Sequence, residues 1–369
     1  SWSRWPDSRE TGSRSTWERA GRRAGSDRMT VTESETIPTL AEKVEFLRRP
    51  EVYARPTDSV ETVETHMAWV FLTEDRAYKL KKPVRYDFLD FSTPEKRRED
   101  CRAEVRLNRR LAPGVYLGVT ALTLRDGELA LDGGGRPVDW LTRMVRLPRD
   151  RMLDHAIRHD RIDEDRLREA ARRLGRFYRD ADPVSDEPAE YVGRLRALVQ
   201  ENREELARPE FGLETSRAGD VGRMLERYLD EREEDVRSRV RAGRVVEGHG
   251  DLRPEHVCLR EEPVFIDCVE FERDFRVVDP VDELAFLDVE CELLGAPGVG
   301  VVFLDEYRSL ADDDPPDGLV EFYRSHRAYL RAKLTIWHLR DDGVAEEDRQ
   351  RWHDRTNEYL DLAAAHLPL

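Results

Sequence analysis

The hydrophobic pattern of the chain changes at Pro148. Before that residue, apolar runs bounded by turn residues predict strands at 61–72, 75–82, 115–124, 128–131 and 137–147. One long helix, which Thr93 can cap and which ends near Leu111, is inserted among these strands, and a short helix at 38–49 precedes them. After Pro148 the apolar residues recur at helical spacing, which predicts helices at 163–181, 188–207, 219–241, 280–294, 299–310, 316–340 and 345–365. This order predicts an α+β fold with a small antiparallel sheet, one key helix and a larger helical part.

The helical part is interrupted by short predicted strands at 244–247, 256–260 and 263–267. We therefore divide the chain into a sheet-rich part, 29–147, and a helical part, 148–369. Residues 1–28 are rich in Ser, Arg, Gly and Asp and have no apolar periodicity, so we expect them to form a disordered extension. Met29 follows directly and is a candidate for the natural start.

Charge and cysteine usage restrict the partners that we expect. The formal net charge is −16, which repels nucleic acid and anionic lipid, so we expect no nucleic-acid and no membrane partner. The charge suits a cationic substrate, but it is also that of an ordinary soluble surface. The four cysteines form no CxxC pair, and no apolar run approaches the roughly 20 residues that span a bilayer. A reduced, cytoplasmic protein is the expectation.

The densest cluster of chemically active residues lies at 247–273. It reads Gly-His-Gly-Asp at 248–251, followed by Leu-Arg-Pro-Glu-His at 252–256, a predicted hairpin, and Phe-Ile-Asp at 265–267. Phosphoryl transfer needs a carboxylate that orients the attacking hydroxyl and, close by, a carboxylate that holds a metal ion on the phosphates. Asp251 suits the first role and Asp267 the second.

This segment resembles the catalytic loop HGDxxxxN of the aminoglycoside phosphotransferase family and of choline kinases, which is related to the HRDxxxxN loop of protein kinases. The segment from Asp267 to Glu270 resembles the family's metal-binding IDxE segment. The resemblance covers roughly residues 60–340 and extends to a bacterial and archaeal branch with no proven substrate. It implies a bilobal protein-kinase-like fold, with 29–147 as the nucleotide-binding lobe and 148–369 as the catalytic and substrate lobe.

The resemblance also implies functions for the residues of the loop. ATP and Mg²⁺ would bind between the lobes, and a small molecule, with a cationic one as one option, would present its hydroxyl to Asp251. His249 would brace the loop by hydrogen bonding, and Gly250 would permit a tight backbone there. Arg253 could neutralise charge on the transferring phosphoryl group; the alternative is a solvated arginine.

His256 departs from the family pattern, which has an asparagine at this position as a metal ligand. Mg²⁺ prefers oxygen ligands, whereas imidazole suits softer metals. Three alternatives follow: one metal site is weakened, Mn²⁺ is accepted, or His256 binds phosphate instead.

The small lobe of the family needs a lysine on its third strand and a glutamate on the next helix. Only six of the 62 basic residues are lysines, yet three lie within four positions, at 79, 81 and 82. Lys79 best matches the phosphate-binding position, with Lys81 as the reserve, although a basic strand edge that prevents aggregation is an alternative. Glu104 is the expected partner, and a solvated helix glutamate is its alternative.

Three further features of the family are either matched or missing in this chain. Met144 falls where the resembling family passes adenine along its hinge. The usual glycine-rich loop over the phosphates is absent, because residues 64–67 read Glu-Thr-His-Met. The sequence Asp-Pro-Val-Asp-Glu-Leu-Ala at 279–285 resembles the family's DPxxDLA helix start, where Asp279 predicts an N-cap and Asp282 suits the positive helix end.

The sequence thus predicts an ATP-dependent kinase of a small-molecule hydroxyl. The Gly250 position, where protein kinases have arginine, argues against control through a phosphorylated activation loop. A nucleotide-binding pseudokinase with a regulatory role is the alternative, because of His256 and the missing glycine-rich loop. A third option is an enzyme of the same fold that transfers AMP or phosphorylates protein.

Overall fold

The computed structural model describes residues 37–86, 89–340 and 344–368. The predicted disordered extension at 1–28 and the candidate start at Met29 lie outside these ranges. The described chain begins with helix α1 (Leu40–Leu47), whose N-terminus carries a capping box between Thr39 and Glu42.

The first half of the described chain is dominated by β-structure. Its strands are β1 (Glu61–Glu64), β2 (Ala68–Leu72), β3 (Arg76–Lys81), β4 (Arg85–Tyr86), β5 (Leu89–Asp90), β6 (Tyr116–Arg125), β7 (Glu128–Leu131) and β8 (Arg136–Val145). Six of them form one antiparallel sheet in the order β1-β2-β3-β8-β6-β7, while β4 and β5 pair separately. The predicted hairpin at 115–131 and the predicted strand after it are confirmed.

The predicted strand at 61–72 was wrong in one respect, because it is two strands. The chain turns back at residues 65–67, where the Thr65 N–H donates to the Ala68 carbonyl at 2.8 Å and the Thr65 hydroxyl bonds the same residue. Threonine side chains close turns in this way, but the apolar residues around Met67 hide the break in the sequence pattern.

The side chains of strand β3 point alternately to the two faces of the sheet. Tyr78 and Leu80 are buried in the core that includes α1. Because successive side chains of a strand point to opposite faces, Lys79 and Lys81 lie on the other face. That face is covered by helix α2 (Pro94–Asn108), which packs against β6 and β8 and begins as expected with Thr93 accepting from the Lys96 N–H at 3.3 Å.

The second half is mainly helical. Its helices are α3 (Leu153–Arg158), α4 (Glu164–Arg179), α5 (Pro188–Leu206), α6 (Thr215–Glu231), α7 (Glu233–Arg241), α8 (Pro280–Leu293), α9 (Val299–Ala311), α10 (Asp317–Ile336) and α11 (Glu346–Ala365). Short 3₁₀ helices lie at Pro50–Val52, Arg149–Arg151, Pro209–Phe211, Pro254–His256, Asp274–Arg276 and Trp337–Arg340. The helices enclose one large apolar core.

One helix prediction was wrong, and one helix was missed. The predicted helix 219–241 is α6 and α7, which separate at Arg232, where φ is −127° and the N–H still donates to the Tyr228 carbonyl. The apolar pattern continues across this break, so periodicity did not reveal it. The sequence also missed α3, which has only six residues and is too short for a periodic signal.

Four short strands lie in the loop region between α7 and α8. β9 (Val246–Glu247) pairs with β12 (Val277–Val278), and β10 (Val257–Cys258) pairs with β11 (Val264–Phe265). The segment after β9 and the segment after β11 are the two stretches that the sequence singled out for catalysis.

Helix α8 lies at the centre of the helical part, and its residues from Pro280 to Cys291 are all buried. Asp279 caps it by accepting from the Val281 N–H at 3.0 Å, as predicted. The same carboxylate receives two hydrogen bonds from the buried Arg239 at 2.7 and 2.8 Å, and Asp282 is paired with Arg327. The start of α8 is therefore held in the core by charged contacts as well as by packing.

Within the described ranges, no helix combines the length and the apolar character that crossing a bilayer requires. The four cysteines, Cys101, Cys258, Cys268 and Cys291, are free and buried.

His366 joins the end of α11 to the rest of the helical core. Its ring nitrogens lie 2.8 Å from Glu321 on α10 and 2.7 Å from Glu292 on α8. Hydrogen bonding to Glu321, against the opposing effect of burial, raises the pKa of His366 above its ordinary value. The stabilisation is therefore fully present below the unfolded pKa of about 6.5 and is lost as the pH rises through the folded value.

We expect His366→Gln to lower the free energy of unfolding by about 1 kcal/mol at pH 6 and by much less at pH 9. Urea unfolding at the two pH values, followed by circular dichroism, measures this difference. His353→Gln is the control, because His353 lies on the same helix. An equal loss at both pH values would contradict the ionic contact.

Candidate active site

The segment Gly248–Asp251 forms a tight loop directly after β9. Gly250 has a φ of +87°, and a β-carbon at this position would lie 3.0 Å from the Phe275 carbonyl oxygen. Only glycine adopts such a backbone without strain in so close a space. The tight backbone that the sequence predicted is therefore present.

His249 lies under this loop and is fully buried. Its Nε2 is 2.9 Å from the Ile266 carbonyl oxygen, and its Nδ1 is 3.3 Å from the Asp251 backbone nitrogen. Burial lowers the pKa of His249 to about 4, so the ring is neutral. A neutral ring with a proton on Nε2 donates to the carbonyl and accepts from the amide, which satisfies both nitrogens. His249 thus connects the Asp251 loop to the residue before Asp267.

Glu283, on the first turn of α8, holds the same loop from below. It accepts from the His249 N–H at 2.9 Å and also from the Gly250 N–H. The sequence showed this glutamate only as part of the helix-start motif. Its role was missed because the contact joins residues 33 and 34 positions apart.

Asp251 presents a partly exposed carboxylate at the end of the loop, with 20% of its side chain accessible. Burial alone would raise the pKa of Asp251, but Arg253, His256 and Arg331 hold it below the ordinary value of a carboxyl group. Asp251 is therefore ionised at neutral pH. A carboxylate of this kind is better suited to orienting a hydroxyl than to removing its proton early.

Arg253 is buried, so the alternative of a solvated arginine was wrong. Its Nε lies 3.0 Å from an Asp251 oxygen, and a terminal nitrogen lies 2.7 Å from Glu255. Although burial opposes ionisation of Glu255, Arg253 is the main cause that lowers the pKa of Glu255 to about 2. Arg253 thereby holds two ionised, partly exposed carboxylates side by side. The sequence missed Glu255, which stood out only as one acidic residue among 78.

The ring nitrogens of His256 face two other groups of the same loop. Nδ1 lies 2.7 Å from the Asp251 carbonyl oxygen, and Nε2 lies 3.5 Å from a guanidinium nitrogen of Arg253. A nitrogen that donates to a carbonyl carries a proton and cannot bind a metal ion. This geometry braces the loop through Nδ1 and leaves only Nε2 for a metal ion or a phosphate, so the metal-ligand role of His256 stays a prediction.

Asp267 follows β11 in a left-handed conformation, with a φ of +66°. Its N–H donates to the Tyr116 hydroxyl oxygen at 3.0 Å, and the next N–H, of Cys268, donates to the Asn108 side chain at 2.9 Å. Side chains from β6 and α2 thus hold this segment in an unusual backbone conformation. Such strain persists only where the surroundings impose it, and it is common at functional sites.

Lys79 connects the sheet to this segment. Its ammonium nitrogen lies 2.9 Å from a Glu104 oxygen and 2.9 Å from an Asp267 oxygen. Burial would lower the pKa of Lys79, but the two carboxylates raise it, so the side chain stays charged. The predicted partner Glu104 is completely buried and is not a solvated helix residue.

Lys81 lies deeper than Lys79. Its ammonium group contacts Asp100 at 2.6 Å, Glu104 at 3.0 Å and Glu270. The alternative of an exposed basic strand edge was therefore wrong for this residue, of whose side chain only 2% is accessible.

Met144 lies on β8 opposite Ala77 and Tyr116 and packs at the edge of a small apolar cluster. The contact with adenine that we assigned to it stays a prediction. Residues 64–67, in the place of the missing glycine-rich loop, are the last residue of β1 and the tight turn at 65–67 that leads to β2.

The predicted site residues fall into two groups that meet at Ile266. Lys79, Glu104 and Asp267 are in direct contact, and so are Asp251, Arg253 and His256. The Ile266 carbonyl accepts from His249 and its N–H donates to the His256 carbonyl. The two carboxylates that the chemistry requires are thus braced through one residue.

The residues present fit a hard divalent cation at one position. Asp267 offers a carboxylate with 18% of its side chain accessible, which is the ligand type that Mg²⁺ and Mn²⁺ prefer. No cluster of three or more potential metal ligands occurs within 37–86, 89–340 and 344–368. The remaining ligands of such an ion would therefore come from phosphate oxygens and water.

The antiparallel sheet with α2 against one face, followed by the helical part, is a bilobal protein-kinase-like fold, as predicted. The sequence model of the phosphotransferase enzyme family matches residues 68–290, and the chain belongs to this family. The match confirms the resemblance drawn from the HGD loop.

Relatives and solved structures give further likenesses. An uncharacterized protein of Mycobacterium tuberculosis is 35% identical over 281 residues, which cover 74% of this chain and 54% of the relative. The chain thus spans about half the length of this relative. A choline/ethanolamine kinase family protein from Mesorhizobium loti is 15% identical, with 88% and 97% of the two chains covered and a TM-score of 0.49. An amicoumacin kinase is 13% identical, with 87% and 93% covered and a TM-score of 0.49.

We expect Gly250→Ala to lower the free energy of unfolding by about 2 kcal/mol, because of the positive φ and the close Phe275 carbonyl. Urea unfolding measures the loss. Gly114→Ala is the matched control, since nothing lies within 4 Å of a β-carbon there and its φ is not in the left-handed region. Two variants of equal stability would show that the loop relaxes freely.

Proposed function

We propose that the protein is an ATP-dependent kinase that phosphorylates a hydroxyl group of a small molecule. The observation that carries the proposal is the contact of Lys79 with both Glu104 and Asp267, next to the braced Asp251 loop. A charged ammonium for the phosphates, a carboxylate for a metal ion and a carboxylate for the acceptor are the parts that phosphoryl transfer needs. Family membership supports a phosphotransferase of some kind.

Each residue has one task in this proposal. Lys79, oriented by Glu104, binds phosphate oxygens of the nucleotide. Asp267 holds Mg²⁺ or Mn²⁺, which when bound neutralises phosphate charge. Asp251 accepts a hydrogen bond from the acceptor hydroxyl and so orients the hydroxyl oxygen toward the γ-phosphorus. A new oxygen–phosphorus bond forms as the bond to the β-phosphate oxygen breaks, and the hydroxyl proton passes to Asp251 and then to water.

In this proposal Arg253 stabilises charge on the phosphoryl group as it is transferred. It is buried, positively charged and in contact with Asp251. A cation in a poorly solvated site interacts strongly with charge that develops in the transition state.

We assign the acceptor side of the site to Asp251 and Glu255. Arg253 keeps both carboxylates ionised and adjacent, and both side chains remain partly exposed. A second hydroxyl or an ammonium group on the acceptor would donate to Glu255. Polyols, amino alcohols and amino sugars therefore suit the site better than apolar alcohols. Because the cysteines are free and buried, we further propose that the reaction takes place in the cytoplasm.

The first experiment measures ATP consumption by the pure protein against amino sugars, sugars and amino alcohols, with Mg²⁺ and then with Mn²⁺. We expect turnover that requires one acceptor class and falls by on the order of 10²–10⁴ in Asp251→Asn, since that variant keeps the shape but loses the charge that orients the hydroxyl. Asp126→Asn, in an exposed hairpin turn, is the matched control. Mass spectrometry of the product identifies a phosphorylated small molecule, a phosphorylated protein or an adenylyl adduct.

A pseudokinase that binds nucleotide and regulates a partner is the second candidate. His256 favours it, because this residue replaces the asparagine metal ligand of the family pattern and its Nδ1 donates to the loop's own Asp251 carbonyl. Tight nucleotide binding without turnover under either metal would support this candidate and contradict the kinase proposal for the acceptors tested.

A further inference from the structure

Lys81 is the most enclosed cation next to the site. Its ammonium group contacts three carboxylates, on Asp100, Glu104 and Glu270. These side chains are themselves 10%, 0% and 7% accessible. An ammonium group has three hydrogen-bond donors, so three carboxylates suffice to occupy it.

The two lysines of β3 contact different oxygens of Glu104. One Glu104 oxygen contacts Lys79, and the other contacts Lys81 and also accepts from the Thr142 hydroxyl at 2.8 Å. Both carboxylate oxygens are therefore engaged, and the orientation of Glu104 is determined by the three contacts together. Lys81 and Thr142 engage one oxygen, which leaves the other oxygen for Lys79.

Lys81 also reaches the segment that carries Asp267. Its contact with Glu270 joins residues 189 positions apart and connects the sheet to the segment that follows β11. Lys79 makes a similar contact with Asp267. Tyr116 and Asn108 accept from the backbone N–H groups of Asp267 and Cys268. The first and last residues of the segment from Asp267 to Glu270 thus contact Lys79 and Lys81 of β3.

Lys79 and Lys81 differ in how much of the side chain is accessible. The Lys79 side chain is 15% accessible, whereas that of Lys81 is 2% accessible. A phosphate group could reach Lys81 only by displacing carboxylates that are buried with it, and leaving those carboxylates without a cation is costly. Lys81 is therefore unsuited to the phosphate-binding role for which it was the reserve.

We propose that Lys81 is a positioning residue, which fixes Glu104 and the Asp267–Glu270 segment relative to β3 so that Lys79 and Asp267 meet the phosphates together. The purpose assigned to Lys81 rests on the proposed function, but the coupling of β3 to the segment is a property of the free protein. The two can therefore be measured separately.

The test compares Lys81→Met with Lys43→Met in the full chain. Lys43 is another buried lysine, on α1, paired with Asp139, and its loss removes the same charge without a contact to Lys79, Glu104 or Asp267. Amide hydrogen exchange without nucleotide is measured for the peptides that contain 266–270. We expect Lys81→Met to speed exchange of the Asp267 and Cys268 amides by about tenfold or more, and Lys43→Met to leave it unchanged.

Kinetics supply the second measurement. We expect Lys81→Met to lower kcat by about a hundredfold through misplacement of Lys79 and Asp267, while the KM for ATP changes by less than about threefold, because Lys79 is still present. Glu270→Gln keeps the other two partners of Lys81 and provides a milder variant if Lys81→Met does not fold. It should change both quantities in the same direction but less.

The outcomes separate the inference from the proposed function. If the wild-type protein has no phosphotransferase activity, the proposed function fails, while faster exchange at 266–270 in Lys81→Met still establishes the coupling. Unchanged exchange in folded Lys81→Met and Glu270→Gln would overturn the inference. So would a loss of nucleotide affinity without a change in exchange, since that result would make Lys81 a phosphate ligand. Faster exchange with an unchanged kcat would overturn the positioning role.

Discussion

The site depends on one buried carboxylate. Glu104 lies between two strand lysines and receives a third contact from Thr142. Burying this carboxylate is tolerated because all of these contacts are made together, and they lower its pKa to about 2 against the opposing effect of burial. The contacts of Glu104 hold helix α2 in a defined position relative to strands β3 and β8. Asp267 and the next residue are then held in place by Lys79 on β3, Asn108 on α2 and Tyr116 on β6.

The Asp251 loop is organised by a different means. Its backbone amides donate to Glu283, its histidines contact carbonyl groups, and Gly250 allows the backbone to turn where no side chain would fit. Hydrogen bonds in a buried setting are costly to leave unmade, so a loop with so many of them has few alternative conformations. Preorganisation of this kind suits phosphoryl transfer, in which positioning and electrostatics contribute most of the catalysis.

Local sequence patterns predicted much of this correctly. The strand and helix types, the capped start of α2 and the capped start of α8 depend on neighbouring residues, and the structure has them. Lys79 was placed with Glu104 because the family resemblance supplied a long-range contact that composition cannot. The turn at 65–67 and the break at Arg232 were missed because a few local hydrogen bonds decide them while the apolar pattern continues across them. The helix α3 was missed because six residues are too few for a periodic signal.

The sequence by itself determined the order of the elements, the family and the candidate residues for the chemistry, because periodicity, caps and motifs are local properties. Only the tertiary structure decided what each charge does. It buried Lys81 beside Glu270, turned Nδ1 of His256 toward its own loop, and connected Glu255 to Asp251 through Arg253. The physical reason is that a charged side chain takes its pKa and its partners from neighbours that the fold brings together, some of them almost 190 residues away in the chain.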